Sequence, residues 1–199
     1  MTAVVPLAVY QVREAGEMFA RAFTKDPFYI YVLPDEKKRL KALTWLFTAA
    51  TLYGCLYGEV HVTQGQIHGA AVWLSSSQTT LRMLRAGMTW APFKLGLKSF
   101  LRLWGSLSLV EQLHKQAMPQ RHLYLMMLAV DPNQQGKGIG RSLLEKNLSR
   151  ADVERLACYL ETTLPTNVPM YRKFGFEVVL KDDFPGGGPR YWTMRRLPR

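Results

Sequence analysis

Apolar residues recur with a helical period near the start of the chain, at Val9, Val12, Met18, Phe19, Ala22 and Phe23. This spacing predicts an amphipathic helix over residues 7–23 that breaks near Asp26-Pro27. A second helix is predicted beyond Pro34, with Asp35 placed to cap it, Glu36 at its positive end, and Leu40, Leu43, Trp45, Leu46 and Phe47 as its apolar positions. The period then changes to two. Glu59-Val60-His61-Val62-Thr63 alternates, Gln64-Gly65-Gln66 turns, and residues 67–74 complete a β-hairpin. Residues 79–118 read as a long helical insertion interrupted at Gly87 and Ala91-Pro92. Its second half sets Phe93, Leu97, Phe100, Leu101 and Trp104 on one face, expected to pack on the sheet in preference to lying on an acidic membrane surface, with Lys94, Lys98 and Arg102 recurring at i, i+4, i+8 on another. Residues 123–130 form a continuous apolar run suited to a central strand buried on both faces. A helix over 139–150, a strand over 157–160 and a short helix over 167–174 closed by Gly175 follow. Strands over 176–180 and 190–195 then flank the Pro185-Gly186-Gly187-Gly188-Pro189 loop. Counting a strand ahead of the first helix, the order is β-α-α-β-β-α-β-α-β-α-β-β, an α/β layered domain.

The length of 199 residues argues for one domain, and 48% hydrophobic content is enough to build its core, which excludes a disordered chain. Cys55 and Cys158 are too few for a disulfide framework, and the four histidines show no zinc-ligand spacing, so no metal is expected. The first residues lack the basic and apolar regions of a signal peptide, and the 17 uncharged residues from Ala42 to Gly58 are diluted by threonine and glycine. A cytoplasmic protein with no membrane association is the expectation.

Charge changes the picture. Twenty-six Lys and Arg against fifteen Asp and Glu leave +11, a field that attracts nucleic acid, an acidic membrane or a polyphosphate. Between Ser76 and Val130 there are seven basic residues and a single acid, Glu111.

One segment is organised to hold a polyphosphate. The apolar strand runs into Gln135-Gly136-Lys137-Gly138-Ile139-Gly140-Arg141-Ser142 and then a helix. Three glycines at a helix entry let backbone N–H groups approach an anion, the positive end of the helix lies behind them, and Lys137 and Arg141 add side-chain charge. The spacing departs from a Walker A loop, which needs Ser or Thr after the lysine, and from the Gly-x-Gly-x-x-Gly dinucleotide fingerprint.

This segment resembles motif A of the GNAT superfamily of acyl-CoA N-acyltransferases through Gln135-x-x-Gly138-x-Gly140 and the preceding Leu128-Ala129-Val130-Asp131-Pro132. Cys158-Tyr159-Leu160-Glu161-Thr162 is similar to that family's fifth strand, and residues 167–177 to its motif B. The layout is most similar to puromycin N-acetyltransferase and related small-molecule acetyltransferases, including Ala22-Phe23 and Asp26-Pro27. The resemblance is strong over 122–177 and loose before 120. It implies a mixed, mostly antiparallel central sheet flanked by helices, with the helical insertion (about 79–118) before the motif A strand, all in one domain over 1–199.

The resemblance also assigns roles. Leu128, Ala129 and Val130 would pair with the pantetheine arm of acetyl-CoA. Gln135, Gly136, Lys137, Gly138, Gly140, Arg141 and Ser142 would hold its pyrophosphate, and Asn167 would contact the arm. Tyr171 matches the tyrosine that protonates the departing thiolate; a phenol is protonated at neutral pH. The glutamate that some relatives carry partway along the motif A strand is Tyr124 here, so the general base stays open between His122, which shares a strand face with Tyr124, Glu161, and a chain of waters. Phe28, Tyr29, Tyr31, Trp73 and Trp192 are candidate walls of an acceptor pocket suited to an apolar or aromatic amine.

The first reading is acetyl transfer from acetyl-CoA to a primary amine of a small molecule, in a ternary complex, by a monomer or homodimer. A protein N-terminus or lysine as acceptor and a non-catalytic acyl-CoA sensor keep the fold. A nucleic-acid-binding protein is the alternative that the charge alone suggests, although no recognition motif accompanies it.

Overall fold

The computed structural model describes residues 2–75 and 88–199. Seven strands and seven α-helices follow one another as β1 (Val4–Pro6), α1 (Val12–Phe23), α2 (Pro27–Val32), α3 (Glu36–Tyr57), β2 (Gly58–Thr63), β3 (Gly69–Ser75), α4 (Ala91–Leu95), α5 (Leu97–Ala117), β4 (His122–Val130), α6 (Ile139–Val153), β5 (Ala157–Thr162), α7 (Asn167–Lys173), β6 (Glu177–Asp183) and β7 (Arg190–Arg196) among the described residues. The strands form one sheet in the order β1-β2-β3-β4-β5-β7-β6. Every neighbouring pair is antiparallel except β4–β5, which α6 connects as a parallel crossover.

Two apolar clusters make the sheet the middle of three layers. On one face α1, α2, α3 and α5 contribute Met18, Phe19, Phe28, Val32, Leu43, Phe47 and Leu103 against Val60, Val62, Val72, Met127 and Ala129. On the other, α6 and α7 contribute Leu143, Leu144, Leu148, Val168 and Tyr171 against Trp73, Leu123, Leu125, Cys158, Leu160 and Met194. The nearly continuous apolar run of β4 follows from this double burial.

Local chemistry sets the helix starts. Asp35 accepts from the amides of Lys37 and Lys38 at 3.1 and 3.3 Å, as its position before the apolar run predicts. Asp26-Pro27 does more than break α1. Asp26 accepts from Phe28 N at 2.9 Å and Pro27 occupies the first turn of α2, a helix that the cap-then-proline signal announces and the reading of periodicity passed over.

The insertion differs from expectation in two respects. Pro92 lies in the first turn of α4, which begins at Ala91, and a further break that was not expected falls at Gly96, whose φ is +80°. Lys94 therefore stands on a different helix from Lys98, and Arg102 donates to the Tyr31 carbonyl at 3.0 Å with its guanidinium 5.1 Å from that ring's centre. The apolar face expected to lie on the sheet does not do so: Phe93, Leu97, Leu101 and Trp104 are exposed, while Leu103 and Ser106 point inward. Residues 79–87 of the predicted insertion lie outside the described residues.

A bulge in β4 positions the site. Val72 pairs with Met127 and Trp73 with Leu125, so Met126 is the extra residue. Tyr124 and Met126 lie over the α3 and α5 side of the sheet, and beyond the bulge Met127 and Ala129 face that same side. Leu128 and Val130 turn to α6 with Leu123 and Leu125.

Candidate active site

The parallel ladder between β4 and β5 ends early. It pairs His122 through Leu125 with Ala157 through Leu160, although β4 continues to Val130 and β5 to Thr162. The two strands thus part beside the Met126 bulge, and Leu128, Ala129 and Val130 line the open edge of β4 with no partner on the β5 side.

At the far end of this gap stands the glycine segment. Gly136 and Gly138 have φ of +79° and +78°, and a Cβ at either would meet nothing within 4 Å, so the turn is open where an anion would sit. Gly138 is the N-cap of α6, whose first amides have no side-chain cap. The 15-residue helix thus presents its free N–H groups at the mouth of the gap. Gln135 and Ser142 turn to backbone carbonyls, of Val130 at 3.3 Å and Gly138 at 3.5 Å. Lys137 and Arg141 are exposed, the former on Gln134 at 2.7 Å and the latter on Glu145 at 2.7 Å. An uncapped helix start, two glycines in the left-handed region and flanking cations fit a pyrophosphate.

On the α5 side of the gap the strand alternation of β5 turns Tyr159 and Glu161 away from α6. Tyr124, beside Tyr159 in the parallel ladder, donates its hydroxyl to Glu161 Oε2 at 2.8 Å. Glu161 Oε1 is buried without a hydrogen-bond partner among the described residues. Desolvation by burial pushes this carboxyl up to about 8, against which the Tyr124 hydrogen bond acts in the opposite direction. Tyr124 itself is held protonated far above its ordinary range, by burial and then by the Glu161 charge.

His114, on α5, completes this cluster and was not foreseen. Its ring stacks on Tyr159 with centroids 4.4 Å apart and lies 4.5 Å from that of Tyr124. Its Nε2 is 2.6 Å from Nε2 of His122, whose Nδ1 is 2.7 Å from the Gln120 carbonyl. A carbonyl only accepts, so Nδ1 of His122 carries its proton and its Nε2 is the acceptor. His114 Nε2 then donates, and His114 Nδ1 is left as a lone pair. Burial, then the facing His122 and Lys115, push His114 down to about 4, so the pair is neutral at pH 7. Burial also lowers His122, against the effect of the Gln120 carbonyl.

A cavity of about 270 Å³ opens between α3, α5 and β4. Leu46, Phe47, Phe100, Leu103, Trp104 and Met127 make it largely apolar, and Tyr124, His114 and Glu111 bring polar atoms to its wall. His122 is 1% exposed and does not line it; His114 stands between. Of the five aromatic residues expected to form an acceptor wall, Tyr29 lines this cavity. Phe28 packs on Phe184 at 5.2 Å in the core, and the Tyr31 hydroxyl donates to the Pro185 carbonyl at 3.0 Å. Trp73 and Trp192 belong to the opposite face of the sheet, Trp73 fully buried and Trp192 beside Lys181. The walls are supplied instead by α3 and α5.

Tyr171 is buried in the α6–α7 cluster, edge-to-face with Phe176 at 5.7 Å. Burial raises its pKa well above that of a free phenol, and its hydroxyl has no hydrogen-bond partner among the described residues. Asn167, one turn earlier, donates to Thr162 Oγ1 at 3.1 Å, which ties α7 to the end of β5 where the strands part. No group of three or more His, Cys, Asp and Glu placed to hold a metal is found among the described residues.

Residues 102–178, from the middle of α5 into β6, match the family model of the acetyltransferase (GNAT) domain. Over that stretch, less than half of its length, the chain is similar to a GNAT acetyltransferase domain. An uncharacterized N-acetyltransferase of Schizosaccharomyces pombe is 27% identical over 175 residues, 82% of this chain and 70% of its own. Among solved structures, the GNAT fold is shared with one described as histone acetyltransferase HPA2 and related acetyltransferase from Corynebacterium glutamicum. That structure is 20% identical with a TM-score of 0.73, covering 100% of this chain and 98% of its own. The Drosophila melanogaster polyamine N-acetyltransferase is 14% identical with a TM-score of 0.64, covering 99% and 100%. Arylalkylamine N-acetyltransferase 2 from Aedes aegypti, also 14% identical, has a TM-score of 0.62 and covers 99% of each. GNAT enzymes use acetyl-CoA as acyl donor, and the glycine segment with the open edge of β4 fits it.

Proposed function

We propose that this GNAT enzyme transfers acetyl from acetyl-CoA to the primary amine of a small molecule with an apolar or aromatic body. The observation that carries the reading is the Tyr124–Glu161 hydrogen bond where β4 and β5 part: Tyr124 lines the apolar cavity, and Glu161, raised to about 8 by burial, stands directly behind it. Drosophila polyamine and Aedes arylalkylamine acetyltransferases, both with this fold, are named for small amines, which supports the acceptor class.

An amine arrives as ammonium and must lose a proton before it attacks. Glu161, held by the Tyr124 hydroxyl on one oxygen and free on the other, takes that proton. Its raised basicity brings it close to an amine's own range, which lowers the cost of the transfer. The lone pair of His114 Nδ1, set by the His122 and Gln120 chain, adds a second acceptor near the ammonium. Acetyl-CoA supplies the activated thioester. The amides at the start of α6 bind its pyrophosphate, and the unpaired edge of β4 from Leu128 to Val130 orients its arm and offers N–H groups to the developing oxyanion. Tyr171 gives its proton to the leaving thiolate from the α7 side of the gap. Two free thiols, Cys55 and Cys158, suit a reducing cytoplasmic compartment.

Thiol release from acetyl-CoA, followed with the purified chain and a panel of amines, tests this. An arylalkylamine or a medium-chain alkylamine is expected to exceed spermidine and an unblocked peptide in kcat/KM by at least about tenfold, the worth of a buried apolar side chain. Preference for spermidine or the peptide would overturn the acceptor class. Tight acetyl-CoA binding with no release in any pairing would make the protein an acyl-CoA sensor.

A further inference from the structure

The α4–α5 surface is built for a partner. Trp90, Phe93, Leu97, Leu101 and Trp104 are 62%, 82%, 66%, 57% and 41% exposed. Leu97, Leu101 and Trp104 fall at i, i+4, i+7 and so form one stripe along α5, and Trp90 and Phe93 make a ring pair 6.0 Å apart just before it. Leu103, Ser106 and His114 point the other way, into the protein. Among the described residues the stripe is therefore a second apolar face that nothing covers. Scattered exposed apolar residues are ordinary; five large ones within fifteen positions, two of them tryptophan, are not.

We infer that this surface seats the protein on an anionic phospholipid bilayer. Charge chooses the occupant. From Met88 to Val110 the sequence holds Lys94, Lys98 and Arg102 and no acid. Lys94 and Lys98 are exposed and make no ion pair or hydrogen bond among the described residues. Apolar and aromatic side chains flanked by lysines on a helix that lies flat is the composition of an interfacial helix: tryptophan and leucine enter the headgroup boundary while lysine stems reach the phosphates. A second copy of this chain is a poor occupant, since it would bring lysines against lysines with no carboxylate between them, on bodies that each carry +11. No described helix is long and apolar enough to cross a membrane, so the association is peripheral. The exposure of Phe93, Leu97 and Leu101 thus favours the membrane surface over packing on the sheet, the reverse of what the sequence pattern suggests.

The surface also meets the cavity. Trp104 belongs to the exposed stripe and lines the cavity wall beside Phe100, with ring centres 5.9 Å apart. An amphiphilic amine dissolved in the bilayer surface would enter there without crossing water. This last step rests on the proposed function; the docking itself does not.

Vesicle co-sedimentation of the full chain tests the docking. The wild type is expected to bind vesicles of 70% phosphatidylcholine and 30% phosphatidylglycerol at least about tenfold more tightly than pure phosphatidylcholine, with loss of the difference in 0.5 M salt. Phe93→Ser with Leu97→Ser, two exposed positions outside the cavity, is expected to abolish binding while thiol release with a water-soluble amine stays unchanged. Lys94→Glu with Lys98→Glu is expected to remove the preference for anionic vesicles. Equal binding by the wild type and the serine variant, or no binding to either vesicle, overturns the proposal. So does light scattering that shows a dimer which Phe93→Ser dissolves, since that makes a second copy the occupant. None of these outcomes bears on acetyl transfer to a soluble amine.

Discussion

The Tyr124 hydroxyl donates to Glu161 Oε2 at 2.8 Å where the two strands that carry them begin to diverge. The contact joins Tyr124, where the resemblance implies a glutamate in some relatives, to Glu161 on the neighbouring strand, and so brings a carboxylate beside that position. It leaves Oε1 buried with no hydrogen-bond partner among the described residues. A carboxylate with one bonded and one orphaned oxygen is costly unless protonated, which is why burial raises it to about 8.

Glu161→Gln keeps the shape and removes the base. The kcat/KM of wild type is expected to rise with pH through about 8, as the carboxylate forms. The Gln variant should lose that limb and fall by about 100-fold above it. Stability gives an independent check. Because the folded carboxyl titrates higher than the unfolded one, the folded state holds the extra proton between about 4.5 and 8, and wild-type stability declines as pH rises through that window. Gln does not titrate, so its melting temperature relative to wild type should be higher at pH 9 than at pH 5. Parallel pH profiles for the two proteins would remove Glu161 from the base role.

Gly138→Ala tests the anion cradle. The left-handed φ of +78° costs alanine about 1 kcal/mol, and the added Cβ enters open space rather than protein. A modest loss of stability is expected together with at least about tenfold weaker acetyl-CoA binding by calorimetry, since the methyl occupies the approach to the amides of α6. Unchanged binding would place the pyrophosphate elsewhere.

How legible the site was depends on where its partners lie along the chain. Gly136, Gly138 and Ser142 are contiguous with the helix they open, and Tyr171 and Asn167 share one short helix, so local pattern carries them. The Tyr124–Glu161 bond depends on which strands are parallel neighbours, and His114 reaches His122 only because α5 turns back along β4; neither relation has a sequence period. Trp73 and Trp192 face α6 and α7 rather than the cavity, which the sequence does not reveal, because strand alternation fixes two faces without saying which helices cover each. The same ambiguity misplaced Phe93 and Leu97. An apolar stripe that meets solvent has the spacing of one that meets a core.

Asp152→Ala tests what holds α7 in place. Arg196 binds both Asp152 oxygens, at 2.8 and 2.7 Å, and its Nε donates to the Phe174 carbonyl at the end of α7 at 2.9 Å. The Arg196 side chain is only 4% exposed, so removing the carboxylate strands a buried cation. A loss of about 3 kcal/mol is expected, seen as a fall in melting temperature of about 10 °C. Asp152 titrates below its ordinary range, chiefly through the Arg196 hydrogen bonds, so this stabilisation is present at neutral pH and is lost as pH falls through that lowered value. The variant and wild type should therefore converge in acid. A constant difference down to pH 2 would mean that Asp152 acts by packing alone.

Tyr171→Phe separates the acid from the fold. The ring is 5% exposed and packs in the α6–α7 cluster, and phenylalanine retains every one of those contacts. The hydroxyl it removes has no hydrogen bond among the described residues, so no donor or acceptor there is orphaned and the melting temperature should move little. Burial keeps the phenol protonated across the whole range in which the enzyme would work, so its proton is available whenever thiolate charge develops. Acetyl-CoA affinity should therefore stay within about twofold while kcat falls by about 100-fold, the lower end for a positioned general acid. A drop in affinity with kcat preserved would make Tyr171 a wall of the binding gap. Preservation of both would give the thiolate its proton from solvent.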